Sequence, residues 1–528
     1  MGTVVIECAS ENMEGIMSRH FPITKILINW LMILFALSVV NPTRQVQALG
    51  VVFVTPGGTG DCSQASPCNL SVGLSTVDSG GTLYAAAGTY TGSGNQVVWL
   101  NKTINLLGGW NDQPEGTPFR DPDTYESIID GENLRRGINI VGSQPVVDGW
   151  TIQGGNASGL ELTGCYNPWG STSGCGGGIN VYNADPTISH NIIRDNNAAI
   201  GMSNYGGGGG IYIYGSNGAI IESNEFYRND SHLNGKGNGG AVYIVSSGGT
   251  VEISDNDIYE NEDSSTTSYD HSGVGILIYY NTGQILIHGN NIHDNNPNDE
   301  DYWGIGVELV ACTDSVILEQ NRIISNNGSN AIHLEQSVAT IQQNTIINPD
   351  LIVGILLSGA PSTGGTVVIR NNIIAENSIN VYITGDSEIY TVNMFYNTIS
   401  NATSGIFIAN NADVVVDSSI ITNHGTGITV GAGPGIILNV YNTLFNGNGD
   451  NGVIGTNPLY GDPLYADPTD HDYHVRWNSA AIDRLPVDGL ASVDIDGDPR
   501  PMGFNSTPYD VGADEFWWKY FAPMISKP

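Results

Sequence analysis

The hydrophobic pattern of this chain has two periods at once. In short stretches such as Ile211-Tyr212-Ile213-Tyr214, apolar residues alternate with variable ones, the signature of a strand packed on one face. Over longer distances one phrase recurs ten times between residues 191 and 447. It is a branched apolar residue, two polar residues, then Asn-x-Ile/Leu/Phe, usually with a second Asn soon after. Its first Asn (once a Ser) falls at Asn191, Asn224, Asn256, Asn290, Asn321, Asn344, Asn371, Asn397, Ser418 and Asn442, in steps of 21 to 34 residues. A repeat of that length, free to vary from turn to turn, predicts a solenoid.

One turn reads as a strand, a second strand near Ile221, then Asn224-Glu225-Phe226-Tyr227-Arg228-Asn229. Asn tolerates left-handed backbone and hydrogen-bonds its own turn, so it suits the corners. Coils stacked at about 4.8 Å bring equivalent Asn side chains within hydrogen-bonding reach, and the inward Ile, Val, Leu and Phe form an apolar ladder. Every coil turns the same way, so neighbouring strands are parallel, and the crossover preference makes the winding right-handed. The expected fold is all-β, a single right-handed parallel β-helix solenoid with N-terminal and C-terminal caps. Both ends need caps because an open coil exposes unpaired strand edges. Residues 51–110 read as the N-terminal cap and first coils, with the segment from Pro67 to Val77 as a short helix. Residues 111–455 read as the β-helix, 456–516 as a C-terminal cap closing the end, and 517–528 as an apolar tail.

Gly at 69 residues and charged residues at 13% fit tight turns and strands. A net charge of −36 argues against nucleic acid, which demands Lys and Arg, and against anionic membrane. It leaves Ca²⁺ binding open. Arg19, His20 and Lys25 precede the apolar run Ile26 to Val40, and Val46-Gln47-Ala48 offers a cleavage site, so 1–48 reads as a signal peptide. The acidic stretch before Met13 suggests translation from Met13 or Met17. Export places the protein outside the cell or on its surface. Cys62 with Cys68, and Cys165 with Cys175, are then expected as local disulfides, with Cys312 packed and unreactive.

Long gaps follow the early Asn phrases: 15 residues from Asn196 to Ile211, 13 from Asn229 to Val242, 15 from Asn261 to Ile276 and 10 from Asn295 to Ile305. Later gaps are 5 or 6 residues. The long ones predict a stacked loop wall carrying Tyr205, His232, Lys236, Asp270, His271, Asp301 and Trp303. The strand after that wall aligns from coil to coil. Its outward residues predict one column of Asn180, Tyr212, Tyr243, Leu277, Gly306, His333 and Leu356. The next column is Tyr182, Tyr214, Val245, Tyr279, Glu308, Glu335 and Ser358. The tyrosines would offer rings for stacking on sugars. Glu308 and Glu335 would stand about 5 Å apart on adjacent coils with His333 beside them, the spacing of a retaining glycosidase pair or of a Ca²⁺ site. Asp494-x-Asp496-Gly497-Asp498 has Ca²⁺-like spacing without a distal Glu. Asp148-Gly149 reads as a turn.

The coil pattern resembles the right-handed parallel β-helix (pectin-lyase-like) superfamily. Leu83-Tyr84-Ala85-Ala86-Ala87-Gly88-Thr89-Tyr90, Leu106-Leu107-Gly108-Gly109 and Val147-Asp148-Gly149-Trp150-Thr151-Ile152 are similar to its members. The stretch from Ser479 through Asp494-Ile495-Asp496-Gly497-Asp498-Pro499-Arg500 to Glu515 resembles secreted bacterial choice-of-anchor Q domain-containing proteins, which implies a structural role for the Asp494 turn, with Arg500 pairing with Asp510 or Asp514. The resemblance spans 51–516. It implies fold and export, and it leaves activity open because the superfamily holds lyases, hydrolases, epimerases and adhesins. A lyase of this superfamily would call for a Lys or Arg base, for which Lys236 is the candidate, often with Ca²⁺. A hydrolase would use Glu308 with Glu335 or Asp301.

The reading that follows is a secreted or surface β-helix protein, a monomer. It would bind polysaccharide or surface glycan through Tyr182, Tyr212, Tyr214, Tyr243, Tyr279, His333 and the loop residues. The tail would serve for envelope attachment. The alternatives are a polysaccharide lyase or glycoside hydrolase, and a structural adhesin or stalk.

Overall fold

A computed structural model describes residues 49–160, 165, 173–200, 205–233, 236–263, 273–297, 305–349, 351–486, 490–501 and 508–516. The chain divides into two compact units, Met1–Ala48 and Leu49–Pro528, and every described residue lies in the second. The signal segment, the tail 517–528, and Asp270, His271, Asp301 and Trp303 fall outside the described residues. Among the described residues no helix is long and apolar enough to cross a membrane.

The chain winds as a solenoid of parallel strands, three to a coil through the middle of the molecule. One sheet stacks Thr187–Ser189, Ile220–Glu222, Val251–Ser254 and Ile285–His288 in register. The corner then leads to a second face, where Ile192–Arg194, Glu225–Tyr227, Asp257–Tyr259 and Asn291–His293 stack. A third face stacks Ile179–Tyr182, Ile211–Tyr214, Val242–Val245, Ile276–Tyr279 and Val307–Val310. Residues alternate in and out along each strand, so Ile179, Ile211, Val242, Ile276 and Val307 form one buried ladder of the core. At the N-terminal end the helix Leu70–Thr76 is capped by Asn69, whose side chain accepts from Val72 N at 3.0 Å. Leu70 and Gly73 of that helix are buried.

The Asn residues do what the repeat requires. Asn191 donates its amide to Asn224, Asn224 to Asn256, Asn256 to Asn290, and Asn290 to Asn321, each at 2.9–3.0 Å. The ladder continues through Asn344, Asn372 and Asn397. From there the Asn397 backbone N–H reaches Ser419 Oγ. A second ladder runs through Asn196, Asn229, Asn261, Asn295 and Asn326 at the next corner. The residue before each first-ladder Asn, for example His190, Ser223, Asp255 or Gln320, has positive φ and turns the corner. This corrects three positions of the repeat. Asn371, Ser418 and Asn442 are the left-handed corner residues, at φ of 52°, 55° and 45°, and Asn372, Ser419 and Thr443 point inward after them. Doubled polar residues hide which of the two turns inward.

The long gaps are stacked structure in their own right. Asn197–Ile200, Asp230–Leu233, Glu262–Asp263 and Asn296–Pro297 form a four-stranded sheet, and Ser173–Cys175, Tyr205–Gly207 and Lys236–Asn238 a three-stranded one. Both expected disulfides are present, and Cys312 is free and buried.

The C-terminal segment lies along the side of the solenoid, where the sequence had placed it across the end. Tyr465, Tyr473, Val475, Ala481, Val511 and Ala513 pack on Ile347, Ile373, Tyr396, Ile420 and Leu444, outward apolar residues that need cover. Arg500 is buried there. It pairs with Glu515 at 3.0 Å, donates to the carbonyls of Gly512 and Ala513, and lies 4.7 Å over the Tyr396 ring. The expected carboxylate partners, Asp510 and Asp514, instead accept backbone N–H groups from Asp483 and Val475.

Candidate functional site

The third face carries most of the predicted site residues, with one slip. Val307-Glu308-Leu309-Val310 pairs with Ile276–Tyr279 so that Leu277 meets Glu308, and Glu308 meets His333. Glu335 lies opposite Val310, in the next column. Glu308 and Glu335 therefore do not stack as a carboxylate pair, and the glycosidase and Ca²⁺ spacing inferred from stacking is lost. The alternation could not reveal this, because a slip of two residues keeps every side chain on its own side.

The observed first column is Asn180, Tyr212, Tyr243, Leu277, Glu308, His333 and Leu356. It points away from the core and is nevertheless covered. Tyr212 and Tyr243 are 1% exposed and pack with Cys175, Val245, Leu277 and Val310. Tyr212 and Tyr243 meet edge to face, with ring centroids 5.4 Å apart. These two tyrosines are a second small core and offer no open ring face, which corrects their expected role in sugar stacking. The cause is the extra sheets built from the long gaps, whose Gly207 backbone lies against Tyr243.

Polar members of this column are buried too. Glu308 Oε2 accepts the Gly273 N–H at 2.9 Å and Oε1 lies 3.1 Å from His333 Nδ1. The other ring nitrogen, Nε2, is 2.7 Å from Ser358 Oγ. A carboxylate only accepts, so Nδ1 donates to Glu308, and in the neutral imidazole Nε2 is the nitrogen free to accept from the serine hydroxyl.

The second column is Tyr182, Tyr214, Val245, Tyr279, Val310, Glu335, Ser358, Thr384 and Asn410. Apart from Val245 and Val310 its members are half-buried, so this column reaches solvent. Tyr182 and Tyr214 stack at 5.8 Å. Tyr279 meets Tyr280 edge-on at 4.3 Å, and Tyr280 is exposed at a left-handed corner. Sequence reasoning missed Tyr280. Lys236 takes part in the wall through its backbone, paired with Tyr205.

Two further clusters were also missed. On the second face Tyr227, Tyr259 and His293 stack with centroids 5.1 Å apart and planes within 10°. Tyr259 hydroxyl bonds Glu225, His293 Nε2 lies 3.1 Å from Asp257, and Arg228 covers Tyr227. The signal was available, since each ring stands third after its ladder Asn. At the first-face corner Asp148 holds His190 Nδ1 at 2.8 Å, Ser189 Oγ at 2.9 Å and the Arg120 guanidinium. Burial raises the Asp148 pKa, and these hydrogen bonds outweigh it and hold the group below its usual value. Beside it lies a cleft of about 290 Å³ lined by Asp123, Glu126, Trp150 and His190.

Among the described residues His474, Asp496 and Asp514 bring ligand-type atoms within 4.8 Å of one another. The hydrogen bond to Asp496 lifts His474 to about 10 against the opposing effect of burial. His474 pairs with Asp472 at 2.6 Å and with Asp496 at 3.2 Å, an ion-pair knot of the C-terminal segment. The Asp494 turn is likewise explained by the chain itself, because Asp494 accepts the N–H groups of Asp496, Asp498 and Glu515.

A family model described as "Right handed beta helix region" matches residues 136–363 and 310–458. The chain belongs to the right-handed beta helix family. No curated protein matches its sequence. Among solved structures, this right-handed β-helix is similar to pectate lyase Pel9A at 13% identity, covering 90% of this chain and 98% of the other with a TM-score of 0.34. It is similar to the periplasmic alginate epimerase AlgG at 12% identity, covering 74% and 83% with a TM-score of 0.39. It is also similar to a mutant of the PL6 family alginate lyase AlyGC at 14% identity, covering 86% and 60% with a TM-score of 0.40.

Proposed function

We propose that this protein is an extracellular β-helix that binds polysaccharide along the second column of its third face. The observation that carries the reading is the column itself. Tyr182, Tyr214, Tyr279, Glu335, Ser358, Thr384 and Asn410 line up in one register and remain open to solvent, with Tyr280 beside them. A polymer of repeating polar units lying along the axis would meet rings at one end and hydrogen-bonding groups at the other. Aromatic rings with polar tips suit sugar rings, whose edges are C–H and whose rims are hydroxyl. Two disulfides favour an oxidising, extracellular setting.

Affinity electrophoresis of the protein against acidic and neutral polysaccharides tests this. The Tyr214→Ala, Tyr280→Ala double variant should lose retention by roughly tenfold or more, on the scale of one to two lost aromatic contacts. The Tyr227→Ala, Tyr259→Ala control on the second face should keep it. Retention lost only in the control pair would move the binding surface to the second face. Unchanged retention in both, or no retention of the parent, would remove the proposal.

A further inference from the structure

The geometry points to a serine-nucleophile acyl-transfer site at Ser358, served by His333 as base and by Glu308 as the group that orients it, acting on an O-acyl ester carried by a polysaccharide. The inference rests on the reading of the second column as a polysaccharide strip, because Ser358 belongs to that column and stands three coils beyond Tyr279, roughly 14 Å along the axis.

The relay has the order and polarity such chemistry needs. Glu308 Oε1 lies 3.1 Å from His333 Nδ1, and His333 Nε2 lies 2.7 Å from Ser358 Oγ. Glu308 and His333 are 0% and 1% exposed, while Ser358 is half-buried. The carboxylate and imidazole are thus shielded and fixed, and the serine they serve is a half-buried member of the strip. The Gly273 N–H on Glu308 Oε2 holds the carboxylate in place. A serine hydroxyl is a poor nucleophile until a base takes its proton, and a base is most effective when its far nitrogen is pinned by an acceptor. The constellation is recognised by these roles and not by sequence order. Here three successive coils each supply one member. Gly359, the residue after the serine, has the Asp386 carboxylate and the Gln336 side chain as its neighbours, with Oδ2 3.5 Å and Nε2 4.0 Å from the place of a Cβ.

The steps balance with water as the only co-reactant. Ser358 Oγ bonds to the ester carbonyl carbon as its proton passes to His333 Nε2. The tetrahedral oxyanion collapses, the C–O bond to the sugar breaks, and the departing sugar oxygen takes the proton from Nε2. Water then adds to the acyl carbonyl carbon and gives a proton to Nε2. Ser358 Oγ leaves with that proton, and the carboxylic acid is released.

Treatment of the full chain with a fluorophosphonate probe, followed by peptide mass spectrometry, tests the site without any glycan. Stoichiometric phosphonylation of Ser358 is expected. It should be absent in Ser358→Ala and slowed roughly 100-fold or more in His333→Gln, the scale of a lost general base. Glu308→Gln should slow it as well. p-Nitrophenyl acetate hydrolysis should fall in the same order. Should the buried variants fail to fold, Ser358→Ala still decides through p-nitrophenyl acetate hydrolysis, since Ser358 is only half-buried and its substitution spares the buried pair. No labelling of Ser358 in folded parent protein, or labelling that His333→Gln leaves unchanged, overturns the assignment. Polysaccharide retention is read separately, so loss of labelling with intact retention sinks this site alone.

Discussion

His424 and Asn380, 44 residues apart in sequence, meet inside the solenoid, where the Asn380 amide donates to His424 Nε2 at 3.1 Å. Nδ1 faces Asn448 Oδ1 at 3.1 Å. The ring is therefore a neutral imidazole with both nitrogens satisfied. Burial pushes its pKa down to about 4, and the bond to Asn448 only partly opposes this.

That depression makes stability fall in mild acid. In the unfolded chain His424 takes a proton near 6.5, while in the folded chain it waits until about 4. Between those values the unfolded state binds more protons, so the contribution is complete above about 6.5 and drains away toward about 4. Urea unfolding of the parent and of His424→Gln at pH 7.5 and pH 4.5 measures it. The pH-dependent loss should be about 2 to 3 kcal/mol smaller in the variant.

The Asn ladders predict an asymmetry between Ala and Asp. Asn256 accepts from the Asn224 side chain and backbone, and donates to Asn290 and to Ile221 O. Asn256→Ala strands several buried partners and should cost about 3 kcal/mol in equilibrium unfolding. Asn256→Asp should cost at least as much despite its matching shape, because a carboxylate turned toward Asn290 Oδ1 and Ile221 O has no proton to donate.

Cys312 should behave as a hidden thiol. Burial raises its pKa to about 12, and its sulfur lies 3.6 Å from the carbonyls of Ile278 and Val310. Iodoacetamide at pH 8 should leave it unmodified in the native protein and alkylate it in guanidinium, as read by intact mass. Alkylation at equal rates in both would show that the corner at Cys312 is open.

The winding was legible because strand alternation and the Asn phrase are both local signals repeated many times. Positions within the site were less so. A two-residue slip at Glu308 preserves parity, and only the paired coordinates of Leu277, Glu308 and His333 reveal which residue stacks on which. The same slip concealed that Glu308 faces His333 and not Glu335. Tyr212 and Tyr243 were read correctly as pointing away from the core, yet their burial depends on a cover made by Cys175 and Gly207, residues far outside the strand's own pattern. Tyr280 was invisible for the opposite reason, because it lies at a corner where alternation stops.

The lateral course of the C-terminal segment has a further effect. Gln343 and Asn371 bond the carbonyls of Asp494 and Val493, Glu376 meets Tyr473, Thr398 receives the Ala513 N–H, and Ser418 that of Gly512. Successive windings from Gln343 to Ser418 are thereby stapled to one strap and must open together, as a single cooperative block. The windings before them have no bond to that strap among the described residues, and can open without it. A nick or insertion in the early wall would stay local, whereas losing the strap would release several turns at once.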